Sequence, residues 1–245
     1  MELILIGKGK MGSVFYEVAL SHGINIKKII TSRNENELLE LPAATSSTLC
    51  VHFATPSSLL HHVKIIASKK YPLLIGTTGW YENLPAITQM ATENHSLIVY
   101  SSNFSPLILM LFSWCRDIGN FLNKFNYSIE ITEKHHIHKK DAPSGTAITL
   151  AMEIIRNSTF LKGWSQSPQP HHIPIKSIRE GDIRGEHTVH LASPEEELTI
   201  LHKVKDRKVF AKGALKTSLH IINVLKNHRI YGCFSLTDFL HKYPY

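Results

Sequence analysis

The sequence predicts an α/β protein built on a doubly wound parallel sheet, with an α+β second domain inserted into it. Three observations carry that prediction. The first hundred or so residues alternate short apolar runs with helical stretches, the βαβ pattern of a parallel sheet. A glycine-rich turn, Gly7-Lys8-Gly9-Lys10-Met11-Gly12, follows the first apolar run at once. Beyond residue 105 the pattern changes to longer helices and alternating, half-polar segments, which read as a mixed or antiparallel sheet.

Taken in order, Leu3–Ile6 is a short apolar run suited to a strand buried on both faces. Met11–His22 has helical spacing and stops at Gly23, which is free to take a left-handed C′ conformation. Ile26–Thr31 and Leu49–Ala54 are the next strands, the latter closed by Thr55-Pro56. Leu59–Lys69 is helical, and Leu73–Gly76 is a strand running into Thr77-Thr78-Gly79. Leu84–Asn94 is a helix, and Leu97–Tyr100 a strand. Further on, Pro106–Lys124 and Ser144–Asn157 read as helices and Tyr127–Glu133 as a strand. Ser165–Pro174 is rich in Pro and Ser and reads as a loop. Glu186–Ala192 and Glu197–Val204 alternate as half-solvated strands, and Ala214–Lys226 is an amphipathic helix. Domains are expected at 1–105, 106–215 and 216–245, the last segment returning to the first domain.

No apolar run approaches the ~18 residues that a membrane helix needs, so no membrane partner is expected. Leu3–Ile6 is too short for the apolar core of a secretory signal. Cys50, Cys115 and Cys233 lie far apart with no CxxC spacing, which argues against a disulfide framework and suits a reducing cytoplasm. The net charge of +7 has two readings, a nucleic-acid face or attraction of a small anionic substrate and a phosphate-bearing cofactor. Lysine and arginine are scattered rather than held in one block, and no nucleic-acid-binding motif occurs. The second reading is therefore preferred, and nucleic acid is not expected as a partner.

The segment Gly7, Lys8, Gly9, Lys10, Met11, Gly12 is a GxGxxG between a strand and a helix, the context of a Rossmann-type dinucleotide site. Gly7 permits the turn, Gly9 lets the backbone approach a pyrophosphate, and Gly12 allows close helix–strand packing. The helix N-terminus then offers free N–H groups to phosphate. The second strand ends in Thr31-Ser32-Arg33, with no carboxylate until Glu35. Arg33 suits a 2′-phosphate, which points to NADPH, with NADH as the other possibility. Gly76, Thr77 and Thr78, and Ser102, Asn103, Phe104 and Ser105, follow two further strands, where cofactor contacts are expected.

The remaining motif is Glu133-Lys134-His135-His136-Ile137-His138-Lys139-Lys140-Asp141-Ala142-Pro143-Ser144-Gly145-Thr146. Its histidines invite a metal reading, yet no carboxylate or cysteine is spaced to complete a zinc site, and no metal is expected. A hydride delivered to a C=C or C=N bond leaves a negative centre that needs a proton. His135 and Lys139 are suited to stabilise that charge and to supply the proton. Ser144 reads as a helix N-cap, after which Gly145 and Thr146 can hold a carboxylate. Two other readings are another two-domain NADPH-dependent dehydrogenase of a small anionic acid, and a non-catalytic NADPH-binding sensor.

With these residues in place, the chain resembles the dihydrodipicolinate reductase family. Glu133 to Thr146 looks like its signature E-x-H-H-x-x-K-x-D-A-P-S-G-T. Gly7–Gly12, Gly76–Thr78, Ser102–Ser105, Arg179–Ile183, Gly185–Thr188 and Phe210–Ala214 extend the likeness along nearly the whole chain. The resemblance implies NAD(P)H-dependent reduction of a cyclic dicarboxylate in diaminopimelate and lysine biosynthesis, in the cytoplasm. It implies His135 and Lys139 as catalytic residues, and His136, Gly145 and Thr146 as substrate contacts. It also implies Gly7–Gly12, Arg33, Gly76–Thr78 and Ser102–Ser105 as cofactor contacts, and a homotetramer built through the sheet of the second domain. The chain departs from the family pattern at Ser32, where many members carry an acidic residue. Pro106-Leu107 likewise replaces a small, flexible pair.

Overall fold

The computed structural model describes residues 2–44 and 47–245. The chain forms two compact units, one of 1–104 with 208–245 and one of 105–207.

The first unit is a six-stranded, wholly parallel sheet. Its strands are β1 (Glu2–Ile6), β2 (Asn25–Ile30), β3 (Thr48–His52), β4 (Leu73–Ile75), β5 (Leu97–Tyr100) and β11 (Gly232–Ser235). They lie in the order β11-β5-β4-β3-β1-β2. The β1–β2, β3–β4 and β4–β5 crossovers carry the helices α1 (Lys10–Ser21), α2 (Pro56–Ser68) and α3 (Leu84–Glu93), and the β2–β3 crossover carries the 3-10 turn Glu35–Leu38. Continuous burial of Leu3, Ile4, Leu5 and Ile6 follows from cover on both faces. The chain steps from β1 outward to β2, then back across to β3 on the other side. The loops after β1 and β3 consequently diverge at the carboxyl edge, where such sheets bind ligands. One core cluster packs Ile4, Ile6, Cys50, Val63, Ile66, Ile75, Trp80 and Ile98.

The second unit is a mixed five-stranded sheet, ordered β10-β9-β6-β8-β7. Its strands are β6 (Ser128–His135), β7 (Gly163–Ser165), β8 (His172–Arg179), β9 (Glu186–Ala192) and β10 (Glu197–Lys203). Helices α4 (Pro106–Leu122) and α5 (Gly145–Arg156) cover one face. Ile108, Leu111, Phe112 and Cys115 of α4 and Leu150 and Ile154 of α5 close over Ile131, Ile173, Ile175 and Val189. Gly119 lets the two helices approach, since a Cβ there would sit 2.2 Å from the Ile154 carbonyl oxygen. Arg116 Nε donates to Glu153 Oε2 at 2.6 Å across the same contact.

Three expectations are corrected. Ser165–Pro174 is not simply a loop: Ser165 closes β7, and His172 to Pro174 open β8. Pro174 misled the pattern, but the pairing of β8 with β6 begins only at Ile175, so that ladder loses no N–H to the proline. The late helix α6 (Lys208–Asn227) starts six residues before Ala214. Gly213, one residue before the expected start, is a helix-interior contact, where a Cβ would stand 1.8 Å from the Phe104 carbonyl oxygen. The chain therefore rejoins the first unit at Lys208 rather than 216, and adds β11 beside β5 and the short helix α7 (Leu236–Lys242).

Candidate active site

In the first unit a cavity of about 580 Å³ opens where β1 and β3 diverge. It is lined by Gly7, Lys8, Gly9, Thr31, Ser32, Glu35, Phe53 to Thr55, Ser58 and His62, among others. The glycine turn is built for close approach. Gly7 has φ +93°, and a Cβ there would come within 2.5 Å of the Ala54 backbone nitrogen. A Cβ on Gly12 would lie 2.0 Å from the Gly7 carbonyl oxygen, whereas one on Gly9 meets nothing within 4 Å. Gly9 is the N-cap of α1 and supplies no side-chain oxygen, so the first-turn N–H groups remain for an anion. An open helix end over a Cβ-free turn fits a pyrophosphate.

The other expected cofactor residues divide. Lys10 is exposed and Met11 half-buried, and neither lines the cavity. Arg33 is also exposed and outside the lining; its backbone N–H donates to Thr31 Oγ1 at 3.3 Å. Gly76, Thr77 and Thr78 follow β4, while Ser102, Asn103 and Phe104 follow β5, all at the carboxyl edge of the sheet. A Cβ on Gly76 would strike the Phe53 ring at 2.2 Å. The Thr77 hydroxyl points inward, 2.7 Å from His52 Nδ1, and the Phe104 side chain is buried. Any cofactor contact at these two positions is left to the backbone. Ser105 belongs to the second unit, its hydroxyl 3.4 Å from His202 Nε2.

The second unit gathers the signature around one carboxylate. Glu133 and His135 are two apart on β6 and so share a face. Glu133 is fully buried and accepts from His135 Nδ1. It takes both Arg179 nitrogens, at 3.0 and 2.8 Å, and the Ser144 N–H at 3.3 Å. The Arg179 fork arrives because β8 pairs with β6 in parallel and sets Arg179 opposite His135. Burial alone would raise the Glu133 pKa, but the bonds from His135 and Arg179 outweigh it and bring it down to about 2. The carboxylate fixes the His135 tautomer, with Nδ1–H toward Glu133 and Nε2 beside Gly185. Gly185 has φ +150°, and a Cβ there would come within 3.3 Å of Nε2.

Lys139 follows one turn later, its Nζ 2.7 and 2.9 Å from the Asp141 carboxylate. Ser144 caps α5 by accepting from the Ala147 N–H, and Gly145 and Thr146 are the buried first residues of that helix. His136 is half-buried in the turn that leads to Lys139, whose N–H donates to its carbonyl at 3.1 Å. His187 stands T-shaped to the His135 ring at 5.2 Å, with Nε2 3.2 Å from Ser144 Oγ. Burial first, and the nearby His135 second, push the His187 pKa down to about 3. Among the described residues no group of three His, Cys, Asp or Glu is arranged to hold a metal.

Sequence reasoning assigned no role to Glu133, Arg179 or His187. The i, i+2 spacing of Glu133 and His135 was the available signal. Arg179 and His187 become neighbours only through strand pairing.

A parallel sheet with a glycine-lined phosphate turn, together with a unit that assembles imidazole, guanidinium, ammonium and the Ser144-capped N-terminus of α5, defines a two-domain nicotinamide-dependent oxidoreductase. Residues 1–104 match the family model described as dihydrodipicolinate reductase, N-terminus, and residues 108–240 match that described as dihydrodipicolinate reductase, C-terminus. The chain belongs to the dihydrodipicolinate reductase family, whose reaction serves diaminopimelate and lysine biosynthesis with NAD(P)H as reductant. It is 30% identical over 242 residues to the 4-hydroxy-tetrahydrodipicolinate reductase of Christiangramia forsetii, covering 98% of each chain. It is 32% identical to that of Lawsonia intracellularis, over 91% of this chain and 94% of the relative. Its fold is similar to a dipicolinate-bound dihydrodipicolinate reductase from Paenisporosarcina sp. TG-14. The TM-score there is 0.67 at 20% identity, over 98% of this chain and 99% of the other.

Proposed function

We propose that His135 and Lys139 carry the proton chemistry of this reductase, and that His136 with the Gly145-Thr146 end of α5 grips a carboxylate of 4-hydroxy-tetrahydrodipicolinate. The observation that carries this reading is the Glu133 hub, which ties His135, Arg179 and the Ser144 N–H to one buried carboxylate. Such a hub sets ring orientation and helix end together before substrate arrives, so little reorganisation remains for the reaction.

Loss of the 4-hydroxyl as water would leave a ring double bond; when bound, the cofactor would supply a hydride to it, and saturating it then needs one proton. Lys139 bears an ammonium on a flexible stem and is suited to give that proton. With Nδ1–H given to Glu133, His135 stabilises the developing negative charge through Nε2 when that nitrogen also carries a proton and donates it. The first-turn N–H groups of α5 and the His136 ring hold the substrate carboxylate by charge-assisted hydrogen bonds. Gly7, Gly9 and Gly12 receive the pyrophosphate, while Gly76 to Thr78 and Ser102 to Phe104 offer backbone at the same sheet edge.

We further propose a cytoplasmic homotetramer. Strand β10 is an edge of the second sheet and exposes Leu198 and Leu201, the kind of unpaired apolar border that a second copy covers. All three cysteines are free thiols, as suits a reducing compartment. No helix among the described residues is long and apolar enough to cross a membrane. Light scattering on a size-exclusion column checks the assembly, and cell fractionation checks the location.

The activity test mixes purified protein, NADPH or NADH, and the condensation product of pyruvate and aspartate semialdehyde. Oxidation of the cofactor that depends on both precursors supports the reading. No oxidation, under conditions where a known reductase of this family works, sinks it.

A further inference from the structure

The first unit holds a run of polar side chains that the proton chemistry above does not use. Thr77 Oγ1 lies 2.7 Å from His52 Nδ1, and His52 Nε2 lies 3.0 Å from His62 Nδ1. His62 Nε2 lies 2.6 Å from Glu35 Oε1. His52 is completely buried, His62 is 4% exposed and Thr77 is 7% exposed. Burial drives the His52 pKa down to about 3, so that ring is neutral at working pH, with one donor and one acceptor. If Thr77 donates to His52, each link is satisfied by one hydrogen, and the run ends with His62 Nε2–H donating to Glu35. The carboxylate is the exposed end of the run, and it lies beside His62 on the wall of the dinucleotide cavity.

We propose that Glu35 reads the adenosine ribose, accepting a hydrogen bond from the 2′-hydroxyl, and that it makes this chain discriminate against the 2′-phosphate of NADPH. The proposal rests on the reading that the first unit binds a nicotinamide dinucleotide. It reverses the expectation drawn from Arg33.

Position supports the assignment. Ribose discrimination falls to an acidic residue at the end of the second strand, and Ser32 removes it from its usual place. The turn after β2 delivers another carboxylate three residues later. Asn34 Oδ1 accepts from the Thr31 N–H and hydroxyl, both at 2.8 Å, while Asn34 Nδ2 donates to the Ile29 carbonyl at 3.0 Å. Those bonds fix the turn and aim the next residue at the cavity. His62 takes Glu35 Oε1 and leaves Oε2 with no protein partner among the described residues.

Charge supports it as well. Arg33 is exposed and outside the cavity wall, and Lys28 is committed to Glu37 at 2.9 Å. A 2′-phosphate would therefore meet a carboxylate before any arginine or lysine of that turn. Like charges so placed are the repulsive element that specificity needs. The buried His62–His52–Thr77 run acts as a brace that holds the carboxylate in one place, so His62 is a positioning residue.

The test is direct binding, read by cofactor fluorescence with no turnover required. Wild-type protein is titrated with NADH and NADPH, and by competition with ADP and adenosine 2′,5′-bisphosphate. NADH is expected to bind at least about tenfold more tightly than NADPH, and ADP more tightly than the bisphosphate. Glu35→Gln keeps an acceptor for His62 but removes the charge. It should raise NADPH affinity at least about tenfold while leaving NADH within about threefold. His62→Leu should lower the NADPH-to-NADH Kd ratio, and should also lower the melting temperature because it leaves the buried His52 Nε2–H without its acceptor. Equal or tighter binding of NADPH by the wild type, or a ratio unmoved in Glu35→Gln, overturns the proposal. Failure of either dinucleotide to bind overturns both this and the cofactor-site reading. Normal NADH preference without turnover overturns the proton-chemistry assignment and leaves this one standing.

Discussion

At the scale of single residues, the second unit separates a chemical role from a supporting one. Among the described residues Lys139 is ion-paired with Asp141, a half-exposed carboxylate, rather than bonded to Glu133. Its removal should therefore cost catalysis without costing the fold. Lys139→Ala is expected to cut kcat at least about 100-fold, with NADH affinity and melting temperature unchanged. Steady-state kinetics beside a binding titration check this, and near-normal kcat would remove Lys139 from the mechanism. Glu133 is the opposite case. Replacing it with Gln keeps the shape but strands the Arg179 guanidinium, and breaking a buried pair of this kind costs about 3–5 kcal/mol. The Glu133 pKa is held near 2, below the 4.5 of a free carboxyl. Its stabilisation is thus present above about pH 4.5 and is lost as pH falls toward 2. The stability gap between wild type and Glu133→Gln should be full at pH 7 and should shrink through that window, as urea titrations at several pH values will show. A gap that stays constant down to pH 2.5 would mean that the charge of Glu133 is not what stabilises.

At the scale of elements, the sequence was readable wherever one signal governed a segment. Strand β1 and helix α1 follow from an apolar run, three glycines and a helical period, all local. Strand β8 was hidden because Pro174 signals a loop, and only tertiary pairing shows that the proline precedes the ladder with β6. Helix α6 begins six residues before the expected Ala214. Gly213 is there for a contact that no local pattern encodes, the approach of α6 to the Phe104 carbonyl. The candidate site divides along the same line. His135, Lys139 and the α5 N-terminus sit within one short motif and could be read directly. Glu35, His52 and His62 come from three separate elements and meet only after the sheet forms. The contact at Gly213 is testable. Gly213→Ala would gain about 1 kcal/mol from helix propensity, yet its Cβ would fall 1.8 Å from a backbone oxygen, which cannot move as a side chain can. Overpacking of this kind costs about 1–3 kcal/mol, so the variant is expected to melt several degrees lower rather than higher. A rise in melting temperature would show that α6 relaxes away from the contact at no cost.

At the scale of the whole molecule, each unit buries an imidazole that is neutral when folded, His52 in the first and His187 in the second. Burial lowers both pKa values from 6.5 to about 3. Between those limits the unfolded chain binds a proton at each position and the folded chain does not. Stability should accordingly be flat above about pH 6.5 and fall as pH drops toward 3, with a slope of up to about 1.4 kcal/mol per pH unit for each histidine. This loss begins well before Glu133 is protonated, so acid unfolding should show an imidazole stage ahead of the carboxylate stage. Each unit thus carries such a group, burial lowers His202 of the second unit as well, and both units should weaken over the same range. His52→Asn removes the first unit's share. Urea unfolding at pH 7.5, 6.5 and 5.5 should then give a pH slope smaller than that of the wild type by about one proton. An unchanged slope would mean that His52 already carries its proton in the folded state. In that case the run from Thr77 to Glu35 would be cationic, and Glu35 would face the cavity with its charge balanced. Wild-type protein should then lose its preference for NADH, so the pH slope and the cofactor preference must succeed or fail together.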